Sequence, residues 1–270
     1  MLDFSRISHT YDQDGRQVET IRHFDLSVME GEFLTILGPS GCGKSTLLHM
    51  AAGFLQPTVG EVCFRGTPVS KPGRDRSLVF QSAALMPWLS VGANIALALP
   101  KGLESDAIDE IVAHVLDVAG LQGFDDAMPH QLSIGMRQKV AIARALAMDS
   151  QVLLMDEPFA SLDEQTRLRL NRDLVDIWRK ERKTIVFVTH SIQEALVLST
   201  RIVLLSARPA CMIGQWRLPE DDLDGLDRQK ARMEDVNMRM LSSEILHKME
   251  LCCPPKEGTG MCECMGVRHA

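Results

Sequence analysis

The segment Gly38-Pro39-Ser40-Gly41-Cys42-Gly43-Lys44-Ser45-Thr46 constrains this chain more than any other stretch of it. It fits the pattern G-x-x-x-x-G-K-[ST], follows the apolar run Phe33-Leu34-Thr35-Ile36-Leu37, and opens into Ser45–Ala52 before Gly53. A strand, a glycine-rich loop and a helix in that order let backbone N–H groups wrap a phosphate at a range that side chains would obstruct. The helix N-terminus behind the loop adds unpaired donors and a positive dipole end. Lys44 is placed to reach β- and γ-phosphates, and the Ser45 hydroxyl to ligate Mg2+. A ligand-free Gly-rich turn is the bland alternative, and the flanking strand and helix argue against it.

Val152-Leu153-Leu154-Met155-Asp156-Glu157 supplies acids to match. Four apolar residues before two carboxylates predict a buried parallel strand that delivers them at the C-terminal edge of a sheet. Asp156 is the expected Mg2+ holder, through a water. Further along, Ser133 is a good N-cap for a helix whose Val140, Ile142, Ala143, Leu146 and Ala147 recur at helical spacing. Gln81 follows the strand-like run Leu78-Val79-Phe80, and His190 follows Thr184–Thr189. Ser161-Leu162-Asp163 lies between them in the chain.

Taken in order, these segments resemble the ATP-binding subunit of an ABC transporter, from about Leu2 to about Pro209. The resemblance implies an α/β fold: a P-loop NTPase core with a parallel sheet, an antiparallel β subdomain and an inserted helical subdomain. It implies that Glu157 is the general base toward the water attacking the γ-phosphate, that Gln81 senses Mg2+ and that water, and that His190 hydrogen-bonds the γ-phosphate. Ser133 and Gly135 would donate to the ATP of the opposite subunit, with Asp163 at the dimer interface. Each half-site is then incomplete alone. Tyr11, the only tyrosine, is expected in the loop before the first hairpin, either stacked on adenine or packed against the protein.

One position departs from the family pattern. Ile134 stands where Leu-Ser-Gly-Gly has its first glycine, whereas Met136-Arg137-Gln138 matches a known subgroup. If Ile134 is the first helical residue, its φ is negative and its side chain is allowed. A working cap is the expectation, with impaired hydrolysis the alternative. Cys42 either fits the loop as a small residue or acts as a redox switch.

Composition narrows the setting. At 270 residues, 45% hydrophobic and 24% charged, the chain has the makeup of an ordinary globular protein. It contains no run of eighteen or more apolar residues, and Met1–Arg6 lacks the apolar stretch of a signal peptide. The net charge of −7 argues against nucleic acid as partner. Seven cysteines suit a reducing compartment. The expected location is therefore the cytoplasmic face of the membrane, held there peripherally.

Strand and helix periods, together with the resemblance, imply an ATPase domain over 1–215, with a helical subdomain over about 82–150, a helical extension over 216–250 and a flexible Cys-containing tail over 251–270. Short strands are expected between Leu2 and Phe64, and an amphipathic helix over Ser105–Ala119 stopped by Gly120. In the tail, Cys252-Cys253, Cys262, Cys264 and His269 lack zinc-site spacing, so a reduced tail is expected rather than a metal site.

After Gln81 comes Leu85-Met86-Pro87-Trp88-Leu89, which resembles the ATPases of nitrate, sulfonate and taurine importers, as does Ala207-Arg208-Pro209-Ala210. In that family a groove beside the Gln segment receives a coupling helix of the membrane subunit. Trp88 and Leu85 either line that groove or pack in the core. The resemblance thus implies ATP and Mg2+ as ligands, a homodimer, integral membrane permease subunits and, indirectly, a solute-binding protein. Three other functions compete: a regulatory ABC subunit with weak hydrolysis, a soluble ABC ATPase outside transport, and a P-loop kinase, which would not explain Leu132–Gln138 or Asp163.

Overall fold

The computed structural model describes residues 1–219 and 223–252. Cys253, Cys262, Cys264 and His269, and with them nearly all of the expected tail, lie outside the described residues.

Two strands, β1 (Leu2–Gln13) and β2 (Arg16–Val28), pair antiparallel across the turn at Asp14-Gly15. Both turn residues have positive φ, 53° and 80°, as a two-residue hairpin turn demands, and the Asp12 carboxylate accepts from Gly15 N–H at 2.8 Å. At 12 and 13 residues these strands are long, not short as expected. Their apolar residues do not alternate cleanly because the register shifts at bulges around Ile7 and His9. With β4 (Val59–Phe64) and β5 (Thr67–Pro68) they form a sheet in the order β2-β1-β4-β5.

The central sheet runs β10-β9-β3-β8-β7-β6. Its parallel strands are β3 (Phe33–Leu37), β6 (Arg76–Val79), β7 (Val152–Asp156), β8 (Thr184–Thr189) and β9 (Arg201–Leu205). Every residue of β3, β8 and β9 is buried, which explains their unbroken apolar runs: both faces of the sheet are covered. Alternate side chains enter opposite cores, Phe33 joining one cluster while Leu34 and Ile36 join another. At the edge, β10 (Met212–Arg217) pairs antiparallel with β9. It lies beyond the last strand that the apolar pattern indicates.

The helix after the glycine-rich loop is α1 (Lys44–Ala52), closed by Gly53 at φ 82°. Between β6 and β7 come α2 (Val91–Ala96), α3 (Ser105–Val118), a 3-10 turn at Pro129–Gln131 and α4 (Ile134–Ala147). In α3, Val112, Val115 and Leu116 are buried and Gly120 follows at φ 64°. In α4, Val140, Ile142, Ala143, Leu146 and Ala147 are all buried. Then follow α5 (Glu164–Glu181), α6 (Ile192–Leu198), α7 (Gly225–Glu234) and α8 (Val236–Cys252). The buried Arg228 and Arg232 of α7 donate to Ser199 O at 3.0 and 2.7 Å, satisfying carbonyls at the end of α6. Among the described residues no helix is long and apolar enough to cross a membrane.

This topology fixes where function can gather. The glycine-rich loop, Gln81, Glu157 and His190 each follow the C-terminal end of a parallel strand, so all four emerge on one edge of the sheet.

Candidate nucleotide site

In the loop, Gly41 and Gly43 have φ of 76° and 126°. A Cβ on Gly43 would meet the Thr20 Cγ2 at 3.1 Å, so both conformation and space require glycine there. Cys42 is 1% exposed and joins the core under α1, which supports the packing role over a redox switch. Lys44 is buried, with Nζ donating to Gly38 O and Pro39 O, each at 2.9 Å. The loop's own carbonyls thus hold the ammonium.

Ser45 Oγ donates to Asp156 Oδ1 at 2.8 Å. The two expected Mg2+ ligands are therefore neighbours, and both present oxygen, the donor a hard cation takes. Burial raises the Asp156 pKa above the usual carboxylate range, opposed chiefly by the Ser45 hydrogen bond. Gln81 lies exposed just past β6, and α4 pins the backbone before it through Gln138 Nε2 to Phe80 O at 3.2 Å.

Glu157 joins the two sides. Its Oε1 lies 3.2 Å from Lys44 Nζ and its Oε2 2.9 Å from His190 Nδ1. The residue sits at φ 43°, in the left-handed region, and its N–H donates to Val188 O at 3.0 Å. This turn swings the carboxylate off the strand end toward the loop. Tyr11 is a residue of β1, not of a loop, and its hydroxyl lies 3.4 Å from Thr46 Oγ1. The ring is edge-on to His9, with centroids 4.5 Å apart.

Ser133, Gly135 and Asp163 form a second group where α4 and α5 begin. Ser133 Oγ accepts from Met136 N–H at 3.2 Å, and Asp163 caps α5 through Thr166 N–H at 2.9 Å, which holds its carboxyl below the usual range. Gly135 is buried, and a Cβ there would lie 2.9 Å from Thr166 Cγ2. Ile134 is the first helical residue, outside the left-handed region, with its side chain 53% exposed.

Trp88 and Leu85 part company. Leu85 packs against the main core, whereas Trp88 is 71% exposed beside the exposed Met86. The loop that carries Trp88 is held by buried Asn94, whose Nδ2 donates to Met86 O, Leu89 O and Ser90 O and whose Oδ1 accepts from Met86 N–H.

Two residues were not legible as parts of the site. Arg208 donates from Nε and Nη2 to Gly41 O at 3.1 and 2.7 Å, bracing the glycine-rich loop from the turn after β9. Glu194 accepts from the Thr189 hydroxyl and lies 4.0 Å from Arg167, so it stands behind His190. Nothing local in the sequence signals either contact, though Arg208 lies in a segment already noted for its likeness to importer ATPases.

Comparison with known proteins gives the family. The family model described as ABC transporter matches residues 21–160. An uncharacterized ABC transporter ATP-binding protein of Methanocaldococcus jannaschii is 49% identical over 209 residues, covering 77% of this chain and 78% of that one. The nitrate import ATP-binding protein NrtD of Synechococcus elongatus is 41% identical over 248 residues, covering 91% and 90%. The taurine import ATP-binding protein TauB of Roseobacter denitrificans is 43% identical over 215 residues, covering 79% and 80%. Among solved structures, a dimeric ATP-binding cassette in a post-hydrolysis state with ADP and Pi aligns with TM-score 0.72 at 29% identity, covering 82% of this chain and all of that one. A strand-edge cluster of loop, lysine, two acids and histidine, on a fold shared with such cassettes, leaves one conclusion: the chain belongs to the ABC transporter family as one of its ATP-binding subunits.

Proposed function

We propose that this chain hydrolyses ATP to drive import of a small anion through a membrane permease. The ATPase assignment follows from the family; the solute class rests on the nitrate and taurine import relatives. The observation that carries the chemistry is Glu157 bridging Lys44 and His190 above the Ser45–Asp156 pair.

On this reading Gly38, Pro39, Ser40, Gly41, Cys42, Gly43, Lys44, Ser45 and Thr46 cradle the phosphates, and Lys44 leaves the carbonyls of Gly38 and Pro39 for phosphate oxygens. Tyr11, beside Thr46, borders the nucleotide. Ser45 and Asp156, with Gln81, would hold Mg2+, which when bound offsets charge on the β- and γ-phosphates. Glu157 accepts a proton from water as the water oxygen bonds to the γ-phosphorus. The bond from that phosphorus to the bridging oxygen breaks, and ADP and phosphate leave. His190 steadies both Glu157 and the γ-phosphate.

A second copy completes each site by presenting Ser133, Gly135 and Asp163, a reading supported by the dimeric cassette among the structural neighbours. The protein would sit peripherally on the cytoplasmic face, with permease subunits against Trp88 and a solute-binding protein across the membrane. On this reading the ATPase domain covers 1–215, with its helical subdomain at about 82–150, and the helical extension covers 216–250. β10 carries the central sheet on to Arg217, past that boundary, and the described helices of the extension are α7 (Gly225–Glu234) and α8 (Val236–Cys252).

Mg2+-dependent ATP hydrolysis by the purified chain tests this. Glu157→Gln should lower turnover a hundredfold or more while ATP binding persists; native turnover in that variant would remove Glu157 as the base. The exposed Ile134 at the start of α4 keeps the regulatory reading in view. A hundredfold gain on Ile134→Gly would move that reading to the front.

A further inference from the structure

The edge of the central sheet opposite the nucleotide site holds a cavity of about 420 Å3. It lies where β3, β8 and β9 begin, whereas the loop, Glu157 and His190 follow strand ends. Its described lining contains five arginines and two glutamates. Guanidiniums thus outnumber carboxylates among the described lining residues, in a chain whose net charge is −7, although Arg179 and Arg228 each have further interactions of their own.

The glutamates are already engaged. Glu32 Oε1 lies 2.6 Å from Arg201 Nε, and Glu30 Oε1 lies 3.1 Å from Arg65, outside the lining. Two of the arginines form a fixed wall. Arg201 is buried and also donates to Ser27 O at 2.5 Å, while Arg228, 1% exposed, donates to Ser199 O and lies over the Trp178 ring at 5.3 Å. Arg182 and Arg217 stand at the exposed rim, the first in a left-handed C-cap after α5 and the second at the end of β10. No described residue ties either of these guanidiniums by a hydrogen bond or ion pair.

We propose that this cavity binds a small organic polyanion, a molecule bearing two or more phosphate or carboxylate groups. Guanidinium forks match both groups in bidentate geometry. At the rim, the exposed guanidiniums of Arg182 and Arg217 attract counter-ions of the opposite sign. The volume falls in the range of small-molecule sites, roughly 300–1,000 Å3, and exceeds what a lone inorganic oxyanion fills. Arg228 belongs to α7, so the C-terminal extension and the core both contribute to the wall of the cavity.

Calorimetric titration of the full chain with fructose 1,6-bisphosphate and with citrate tests the site and separates the two sources of charge. At least one probe should bind with a Kd below about 1 mM. Binding should weaken tenfold or more in Arg182→Ala/Arg217→Ala and persist in Lys44→Ala. The rim variant should keep native ATP turnover, which certifies its fold. Failure of both probes to bind overturns the proposal, and so does binding that survives the rim substitutions but disappears with Lys44→Ala.

Discussion

Glu157 holds its carboxylate in place by adopting a backbone conformation that side chains ordinarily avoid. A left-handed residue costs about 1–2 kcal/mol, less for asparagine and more for a β-branched side chain. Glu157→Asn and Glu157→Val should both be inactive, yet differ in unfolding free energy by about 1–2 kcal/mol in favour of Asn, read by denaturant titration. Glu194 offers a pH test. Its burial raises the folded-state pKa above 4.5, against the Thr189 hydrogen bond and Arg167. The folded protein then binds more protons at this residue than the unfolded chain, so its contribution to stability falls as pH rises from 4.5 toward the raised value. Glu194→Gln should lose that slope. Thermal unfolding at pH 5 and pH 7 should show the variant gaining on the native chain at the higher pH; parallel curves would refute the assignment.

At the scale of elements, α4 and α5 meet where Gly135 faces Thr166, and the approach is too close for a methyl group. Gly135→Ala should cost about 1–3 kcal/mol by forcing these helix starts apart. Thr166→Ser deletes the opposing methyl and should recover most of the loss, a coupling that a double-mutant cycle measures. The glycine is therefore explained by packing within one chain, beside any contact it makes to nucleotide. Much of this level was readable beforehand. α3, α4 and the buried strands carry their own periodicity, so local pattern and tertiary burial agree. The long β1–β2 hairpin and β10 were not legible: bulges scramble the first pattern, and β10 is a partly exposed edge strand without alternation. The Arg208–Gly41 and Thr189–Glu194 contacts escape for another reason, since only the folded chain places the turn after β9 against the loop and turns Glu194 of α6 back onto the end of β8.

For the whole molecule, the proposed function makes the group around Lys44 and the group around Ser133 two half-sites that a second copy would complete. Glu157→Gln with ATP and Mg2+ should therefore elute as a dimer of about twice the 30.0 kDa chain mass in light scattering, and return to monomer when ATP is withdrawn. A variant that stayed monomeric at saturating ATP would sever the link between nucleotide and assembly. The mechanical corollary lies in the segment after β6. Gln138 grips Phe80, Arg144 grips Ala83 and Ala84 at 3.2 and 3.0 Å, and Asn94 grips Met86 to Ser90. Little of that segment is left slack. On the proposed function, a shift of α4 would be handed to Trp88 as displacement rather than absorbed as bending, so the segment would behave as a pushrod whose stiffness sets how much of each hydrolysis stroke reaches whatever Trp88 touches.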